Sequence, residues 1–180
     1  MAIQNSKKKL TFKTGKGVAM YPWLNKADYQ FDSAGQFKVN LRVSKADAKA
    51  LQDTAKQAAN DAFGDKAKNA RLPFKTDEET GDIIIVTKSK FKPKFMDSTG
   101  ALISENNVPP IYGGSTLKLA GTMYPYSAGG NVGVSLQLAG VQIIELSAGS
   151  DGGISFEAEE DGFVTASNDN ADEMNEAANF

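Results

Sequence analysis

Apolar and polar residues alternate along much of the first 150 residues, which is the pattern of half-buried β-strands. The clearest example is the segment 35–43, where every second residue from Phe37 onward is apolar. Comparable segments predict further strands at 18–24, 83–95, 101–103, 115–126 and 132–146. In the last segment the apolar positions change phase near Gly140. A β-bulge there would absorb this slip and help the sheet to curl into a barrel.

One α-helix is predicted directly after the segment 35–43. Ser44 and Asp47 have a spacing that resembles a capping box, and Gly64 is suited to end the helix. Between them an apolar stripe recurs at helical spacing and consists mostly of alanine, which favours close packing on a sheet or barrel end. Turns are predicted at Gly81-Asp82 and Thr99-Gly100. We therefore expect a mainly β domain with one inserted helix.

The chain of 180 residues contains neither cysteine nor histidine. The absence of cysteine excludes disulfides and thiolate metal sites, and it fits a reducing, intracellular location. The absence of histidine removes the commonest general base and the commonest metal ligand. Four carboxylates between Asp77 and Asp82 lack the spacing of a calcium-binding loop, and we interpret them as a solvated hairpin tip. We expect no enzymatic activity, no cofactor and no metal site.

The net charge of −2 conceals an uneven distribution. Residues 151–180 contain nine acidic residues and no basic one, so residues 1–150 hold all 20 Lys and Arg against 13 Asp and Glu. A basic body followed by an acidic segment indicates a polyanion-binding surface and a segment that competes for it. We divide the chain into a flexible basic arm at 1–16, a folded domain at 17–147, and a linker with a disordered acidic C-terminal tail at 148–180.

Lysines occupy every second position at the end of the segment 83–95, namely Lys88, Lys90, Lys92 and Lys94. In a continuous strand all four ammonium groups would share one face, with Phe91 and Phe95 on the other. A solvated outer face is the ordinary explanation of such a pattern. A phosphate backbone is the alternative, because it would relieve the repulsion among four like charges.

The segment 115–126 places Lys118, Tyr124 and Tyr126 on its polar face, opposite its apolar positions. Tyrosine on such a face also serves simply to cover a neighbour's apolar edge, and a single tryptophan such as Trp23 is more often a core residue than a platform for a ligand. A cationic groove with aromatic rings is nevertheless what single-stranded nucleic acid requires, because bases stack on the rings. Duplex reading is disfavoured, since the predicted helix is alanine-rich and carries charges of both signs on its exposed face.

Four blocks of the sequence resemble the single-stranded DNA-binding protein of T-odd short-tailed bacteriophages. They are YPWLNKADY at 21–29, GQFKVNL at 35–41, a run from VPPIYGGS at 108–115 through LKL, YPY and VSLQL to IEL at 144–146, and the acidic tail that closes on Phe180. The likeness spans nearly the whole chain in order. The tail is less densely acidic than is typical of the family, and the stretch between the helix and the long strand is shorter.

The resemblance implies an OB-fold, which is a five-stranded barrel, here with extra strands and a helix inserted between barrel strands. It implies sequence-independent binding of single-stranded DNA in phage replication, recombination and repair, promotion of strand annealing, a homodimer, and a place in the cytoplasm of the infected bacterial host. The family's tail also implies recruitment of the phage DNA polymerase and helicase–primase. Here that role falls to Phe180, Asp169, Asp172, Glu173 and Glu176.

The DNA-binding residues that we predict are basic or aromatic and lie on the predicted strands or the segments beside them. They are Tyr21, Trp23, Arg42, Lys88, Lys90, Lys92, Tyr112, Lys118, Tyr124 and Tyr126. The alternative function is that of a virion structural or adaptor protein, whose basic face meets an acidic protein and whose tail only solubilises it.

Overall fold

Strands dominate the part of the chain that the computed structural model describes, residues 10–30 and 32–147. The strands are β1 (Thr11–Lys13), β2 (Gly17–Asp28), β3 (Gln36–Val43), β4 (Phe74–Thr76), β5 (Ile83–Ser89), β6 (Lys94–Met96), β7 (Thr116–Ala128) and β8 (Asn131–Glu145). The helix α1 spans Lys45–Phe63, and two 3₁₀ segments span Gly64–Asn69 and Glu105–Asn107. The predicted tail, including Phe180, Asp169, Asp172, Glu173 and Glu176, lies outside the described residues.

Five of the strands close into a ring in the order β7–β2–β3–β5–β8, with β8 returning to β7. Neighbours in the ring are antiparallel except β5 and β8, which run parallel and meet at the pair Lys88 and Gln137. Strand β1 adds to an edge of β7, β4 to β5, and β6 to β8. A closed five-stranded ring of this kind is the OB-fold barrel, so the predicted fold class is confirmed.

The line where β5 and β8 meet is the seam of the barrel, and a short connection between α1 and β4 fills part of it. The Arg71 N–H donates to Val132 O, and Val134 N–H donates to Arg71 O, at 2.9 Å each. On the other side, Val86 N–H donates to Pro73 O at 2.9 Å. The segment 71–73 therefore joins β8 to β5 through backbone hydrogen bonds beyond their single direct bridge.

The helix α1 forms as its sequence predicts. The Ser44 hydroxyl accepts a hydrogen bond from Asp47 N–H at 3.1 Å, and Gly64 follows the last turn with a φ of 58°. The buried face is alanine throughout, and Ala48, Ala55 and Ala59 belong to the same core as the barrel residues. Close packing of the helix on the barrel is thereby confirmed.

The bulge predicted in the last strand is present. Along β7 and β8 the register runs from Ala120 opposite Gly140 to Gly121 opposite Leu138, so Ala139 has no partner on β7. The slip lets Leu136, Leu138, Val141 and Ile143 all point into the core despite their change of phase.

The prediction of one continuous strand over 83–95 is wrong. Strand β5 ends at Ser89, whose hydroxyl accepts a hydrogen bond from Phe91 N–H at 3.0 Å and so turns the chain. Pro93 has no N–H to contribute to a ladder, and β6 resumes at Lys94 as the end strand of the sheet. The four alternating lysines therefore do not share one strand face.

Residues 11–13, which the lysine-rich composition places in the basic arm, form strand β1. Phe12 is buried in the core opposite Gly121 of β7, and Thr14 N–H donates to Leu119 O at 2.9 Å. The ordered body therefore extends at least to Leu10. No helix among the described residues is long and apolar enough to cross a membrane.

The close approach of β7 and β8 at the bulge requires glycine at position 121. A Cβ there would overlap the carbonyl oxygen of Gln137 and lie 2.9 Å from the ring of Phe12. We expect Gly121→Ala to lower the free energy of unfolding by about 1–3 kcal/mol, because overpacking of a core costs about that much. Urea unfolding measures it.

Gly15→Ala is the matched control for this substitution, because a Cβ at Gly15 meets nothing within 4 Å. Equal stability changes in the two variants would contradict the steric explanation.

Candidate nucleic-acid interface

The register of the barrel aligns side chains in a row across its outer face. Trp23 of β2 lies opposite Lys38 of β3, Lys38 lies opposite Lys88 of β5, and Lys88 pairs with Gln137 of β8. Directly opposite residues share a face of the sheet. Neighbouring strands are about 4.8 Å apart, so the row crosses the barrel nearly perpendicular to the strands.

Two adjoining depressions lie along this face and share Lys88 and Tyr124. We call them together the groove. The first is lined by Gln36, Lys88, Ser89, Lys90, Phe91, Tyr124 and Gln137. The second is lined by Arg71, Leu72, Pro73, Val86, Lys88, Tyr124, Tyr126, Val134 and Ser135. Of the predicted DNA-binding residues, the structure brings Lys88, Lys90, Tyr124 and Tyr126 together here.

The first depression combines two cations with two aromatic rings, one from the bend after β5 and one from β7. Lys88 is the last outward-facing residue of β5, and Lys90 follows in the bend after this strand. The ring of Phe91 is 72% exposed, whereas Phe95, with which the alternating pattern grouped it, is 3% exposed in the core. The end of β5 at Ser89 separates these two phenylalanines, and Phe91 therefore lines the groove.

The second depression depends on a glycine. A Cβ at Gly133 would lie 2.6 Å from the Tyr126 hydroxyl and 2.7 Å from the Arg71 carbonyl oxygen. The bare backbone at this position thus lets the Tyr126 ring and the segment 71–73 approach β8 together. Leu72, Pro73 and Val86 add apolar lining to the same depression.

Phe91 and Arg71 are candidate site residues that the sequence patterns missed. Phe91 was assigned to the face opposite the lysines, because nothing in the alternation reveals that the strand stops at Ser89. The sequence signals for that stop are Ser89 and Pro93, which lie on either side of the bend. Arg71 lies in a connection with no periodic pattern, and its place in the seam depends on tertiary pairing alone.

One cation of the row is paired inside the protein. The Lys38 ammonium lies 2.6 Å from a carboxylate oxygen of Asp28, whose side chain is only 7% exposed. This hydrogen bond from Lys38 lowers the pKa of the Asp28 carboxyl below its ordinary value, and a second bond from Gln30 N–H acts in the same direction. The positive charge of Lys38 is therefore paired with a carboxylate of the protein itself.

Three predicted basic residues lie away from the groove. Lys92 is exposed between β5 and β6 and lines neither depression. Lys118 shares the outer face of β7 with Tyr124, but six residues of strand, about 20 Å, separate them. Arg42 lies at the far end of β3, 4.0 Å from the carboxylate of Asp82.

Two predicted tyrosines, Tyr21 of β2 and Tyr112 of the loop before β7, lie outside the groove. Tyr21 occupies a bulge with a φ of 50°, a rare value for a residue other than glycine, and its side chain is 74% exposed. Tyr112 is 48% exposed on the loop before β7. The Gly114 N–H bonds Ala19 O at 2.9 Å, so this loop is held beside β2.

The groove has the chemistry of a surface that binds an extended polyanion with flat apolar groups. Among residues 10–30 and 32–147, no cluster of three acidic side chains is arranged to hold a metal ion. The described residues form two ion pairs, those of Lys38 and Arg42, and neither involves a basic residue of the groove.

Acid should weaken the fold through Asp28. Because folding lowers this pKa, the carboxylate stabilises the protein above the unfolded pKa of about 3.9, and that contribution is lost as the pH falls through the lower folded value. We expect Asp28→Asn to be less stable than the wild type at neutral pH, with a difference that shrinks below about pH 4. Thermal unfolding across this pH range measures it, and a constant difference would contradict the assignment.

The comparisons with known proteins agree with this geometry. The crystal structure of gp2.5, a single-stranded DNA-binding protein encoded by bacteriophage T7, matches with a TM-score of 0.67 at 25% identity, covering 88% of this chain and 100% of that chain. The single-stranded DNA-binding protein of bacteriophage Enc34, in complex with ssDNA, matches in fold with a TM-score of 0.64 at 16% identity, covering 77% and 88%. No family model matches the chain, and no curated protein matches it. The resemblance to single-stranded DNA-binding proteins of phages, inferred from the sequence, is thus confirmed by the structural matches.

Proposed function

We propose that this protein binds single-stranded DNA, without sequence preference, in the groove across β3, β5, β8 and β7. The observation that carries the proposal is the first depression, where Lys88 and Lys90 meet the rings of Phe91 and Tyr124. Cations and exposed rings at one place are what a flexible strand of phosphates and bases requires.

The two kinds of side chain have separate tasks. Lysines displace the counterions condensed on the phosphates, so affinity falls as salt rises. Each base stacked on a ring contributes about 1–3 kcal/mol, and every base offers a flat face, so stacking carries little sequence preference. Arg71 and Tyr126 extend the same pair of contacts into the second depression.

Two findings support the proposal beyond the geometry of the groove. The T7 protein that matches this chain is a single-stranded DNA-binding protein, and the Enc34 protein was solved in complex with ssDNA. The groove also lies on the second and third barrel strands, β3 and β5, where OB-folds bind oligonucleotides.

The finer functions that follow from the resemblance are part of the proposal. We infer a role in phage DNA replication, recombination and repair within the infected cell, with strand annealing by a homodimer. The acidic tail competes with DNA for the groove, and DNA displaces it. The released tail recruits the DNA polymerase and the helicase–primase through Phe180 and the acids Asp169, Asp172, Glu173 and Glu176.

Titration with oligo(dT) tests the binding directly, with the fluorescence of Trp23, the single tryptophan, as the signal. Lys88→Ala and Lys90→Ala should each reduce the slope of log affinity against log salt by about 0.7, the value for one phosphate contact on a single strand. Lys56→Ala, on the exposed side of α1, is the matched control and should leave the slope unchanged.

Unchanged salt slopes in both groove variants would show that DNA binds elsewhere on the molecule. No binding by the wild type at low salt would favour the adaptor function instead.

Deletion of residues 161–180 removes five acidic residues. The truncated protein should bind oligo(dT) more tightly than the full chain at low salt, because a competing polyanion is gone, and it should no longer bind the polymerase. Fluorescence titration and a pull-down with purified polymerase measure the two effects. Weaker DNA binding after truncation would refute the competition.

A further inference from the structure

Two exposed tyrosines outside the groove, Tyr21 and Tyr112, are attached to neighbouring backbone segments. A Cβ at Gly113, the residue after Tyr112, would lie 3.8 Å from Ala19 O and 3.9 Å from Cδ of Pro22. Pro22 in turn is the residue after Tyr21. The loop before β7 therefore lies against the part of β2 that carries Tyr21.

A side chain of β2 holds this loop in place. The Asn25 amide nitrogen donates to Pro109 O, and the Asn25 amide oxygen accepts a hydrogen bond from Ile111 N–H, at 2.9 Å each. The side chain of Ile111 is also buried in the core. The backbone that leads into Tyr112 is thus fixed at several points, so little ordering of the loop is needed when a ligand binds there.

The backbone of Tyr21 is strained, because its φ of 50° lies in the left-handed region that residues other than glycine, asparagine and aspartate rarely adopt. The strain coincides with the bulge. Between the pairs that Met20 and Trp23 form with β3, strand β2 has two residues and β3 has one, Val39. Bulges redirect side chains next to functional sites, and backbone strain is concentrated at such sites. Here the two features accompany an aromatic side chain that is largely exposed.

The row of side chains across the barrel connects this part of β2 with the groove. Trp23, two residues after Tyr21, lies opposite Lys38, and Lys38 lies opposite Lys88, which lines both depressions. At about 4.8 Å between neighbouring strands, the row covers about 10 Å from Lys88 to Trp23. The side chain of Trp23 is half-buried, so part of it is exposed on the way.

We propose that a single DNA strand continues from the groove along this row, over Trp23, to a second base-stacking site at Tyr21 and Tyr112. The inference rests on the function proposed above and extends it, because the ligand is the same strand. The groove supplies Lys88 and Lys90 for phosphates, whereas the second site supplies aromatic rings for bases. Its contribution to affinity should therefore depend little on salt.

Oligo(dT) of two lengths tests the second site, about 4 and about 16 nucleotides, which are the limits of the site size of one OB-fold. The shorter strand occupies the groove alone, where the lysines attract its phosphates, and the longer one reaches Tyr21 and Tyr112. Tyr21→Asn removes a ring and keeps a residue type that tolerates a positive φ. Tyr112→Leu removes the other ring and keeps an apolar side chain.

Each variant of the full-length chain should bind the longer strand at least about five-fold more weakly than the wild type, the loss expected for one stacked base. The affinity for the shorter strand and the salt slope should stay unchanged. Fluorescence anisotropy of end-labelled oligonucleotides measures both. Tyr29→Leu is the matched control, because Tyr29 is also a largely exposed tyrosine, 65% exposed, but follows the end of β2 at Asp28. It should bind both strands as the wild type does.

Equal weakening for both strand lengths, weakening for neither, or the same loss in Tyr29→Leu would overturn the second site and leave the groove standing. A fall in thermal stability that accounts for the lost binding would also overturn it, because the tyrosines would then serve the fold. So would a change of oligomeric state in size-exclusion chromatography, because the tyrosines would then contact a second copy of this chain. If the wild type bound neither strand, the proposed function itself would fail.

Discussion

The groove depends on the closure of five strands into a ring, and closure depends on how β5 meets β8. These two strands run parallel and share one direct pair, Lys88 with Gln137. Strands in a small barrel tilt and stagger to close. The two depressions of the groove lie beside this meeting point, and both are lined by Lys88 of β5 and Tyr124 of β7.

The end of β5 at Ser89 then determines the chemistry of the groove. Had the strand continued, Lys90 would have stayed in line with Lys88 and Phe91 would have pointed inward with Phe95. The turn closed by the Ser89 hydroxyl instead places Lys90 and Phe91 on the same depression. A local competition between a side-chain hydrogen bond and the sheet ladder therefore supplies both a cation and a ring.

Much of the fold could be predicted from the sequence, because the strands and the helix depend on local patterns of residues. The alternation in β3, the capping residue Ser44 and the phase change near Gly140 each reflect a short-range rule that the structure obeys. The groove was predicted only in part. Lys88, Lys90, Tyr124 and Tyr126 were found from strand periodicity, but Arg42 and Lys118 share that periodicity and lie elsewhere. The register of the strands and the closure of the barrel determine which residues from different strands meet. No short segment of the sequence encodes either of them.

Part of the lining of the second depression comes from a connection rather than from a barrel strand. Leu72 and Pro73 lie there because the segment 71–73 bonds to β8 on one side and to β5 on the other. Connections change in length and sequence among relatives far more readily than the strands they join. Two proteins with the same barrel can therefore differ in the size and polarity of this depression. Differences in this depression among proteins of the same fold should therefore concentrate between α1 and β4, while the barrel itself stays recognisable.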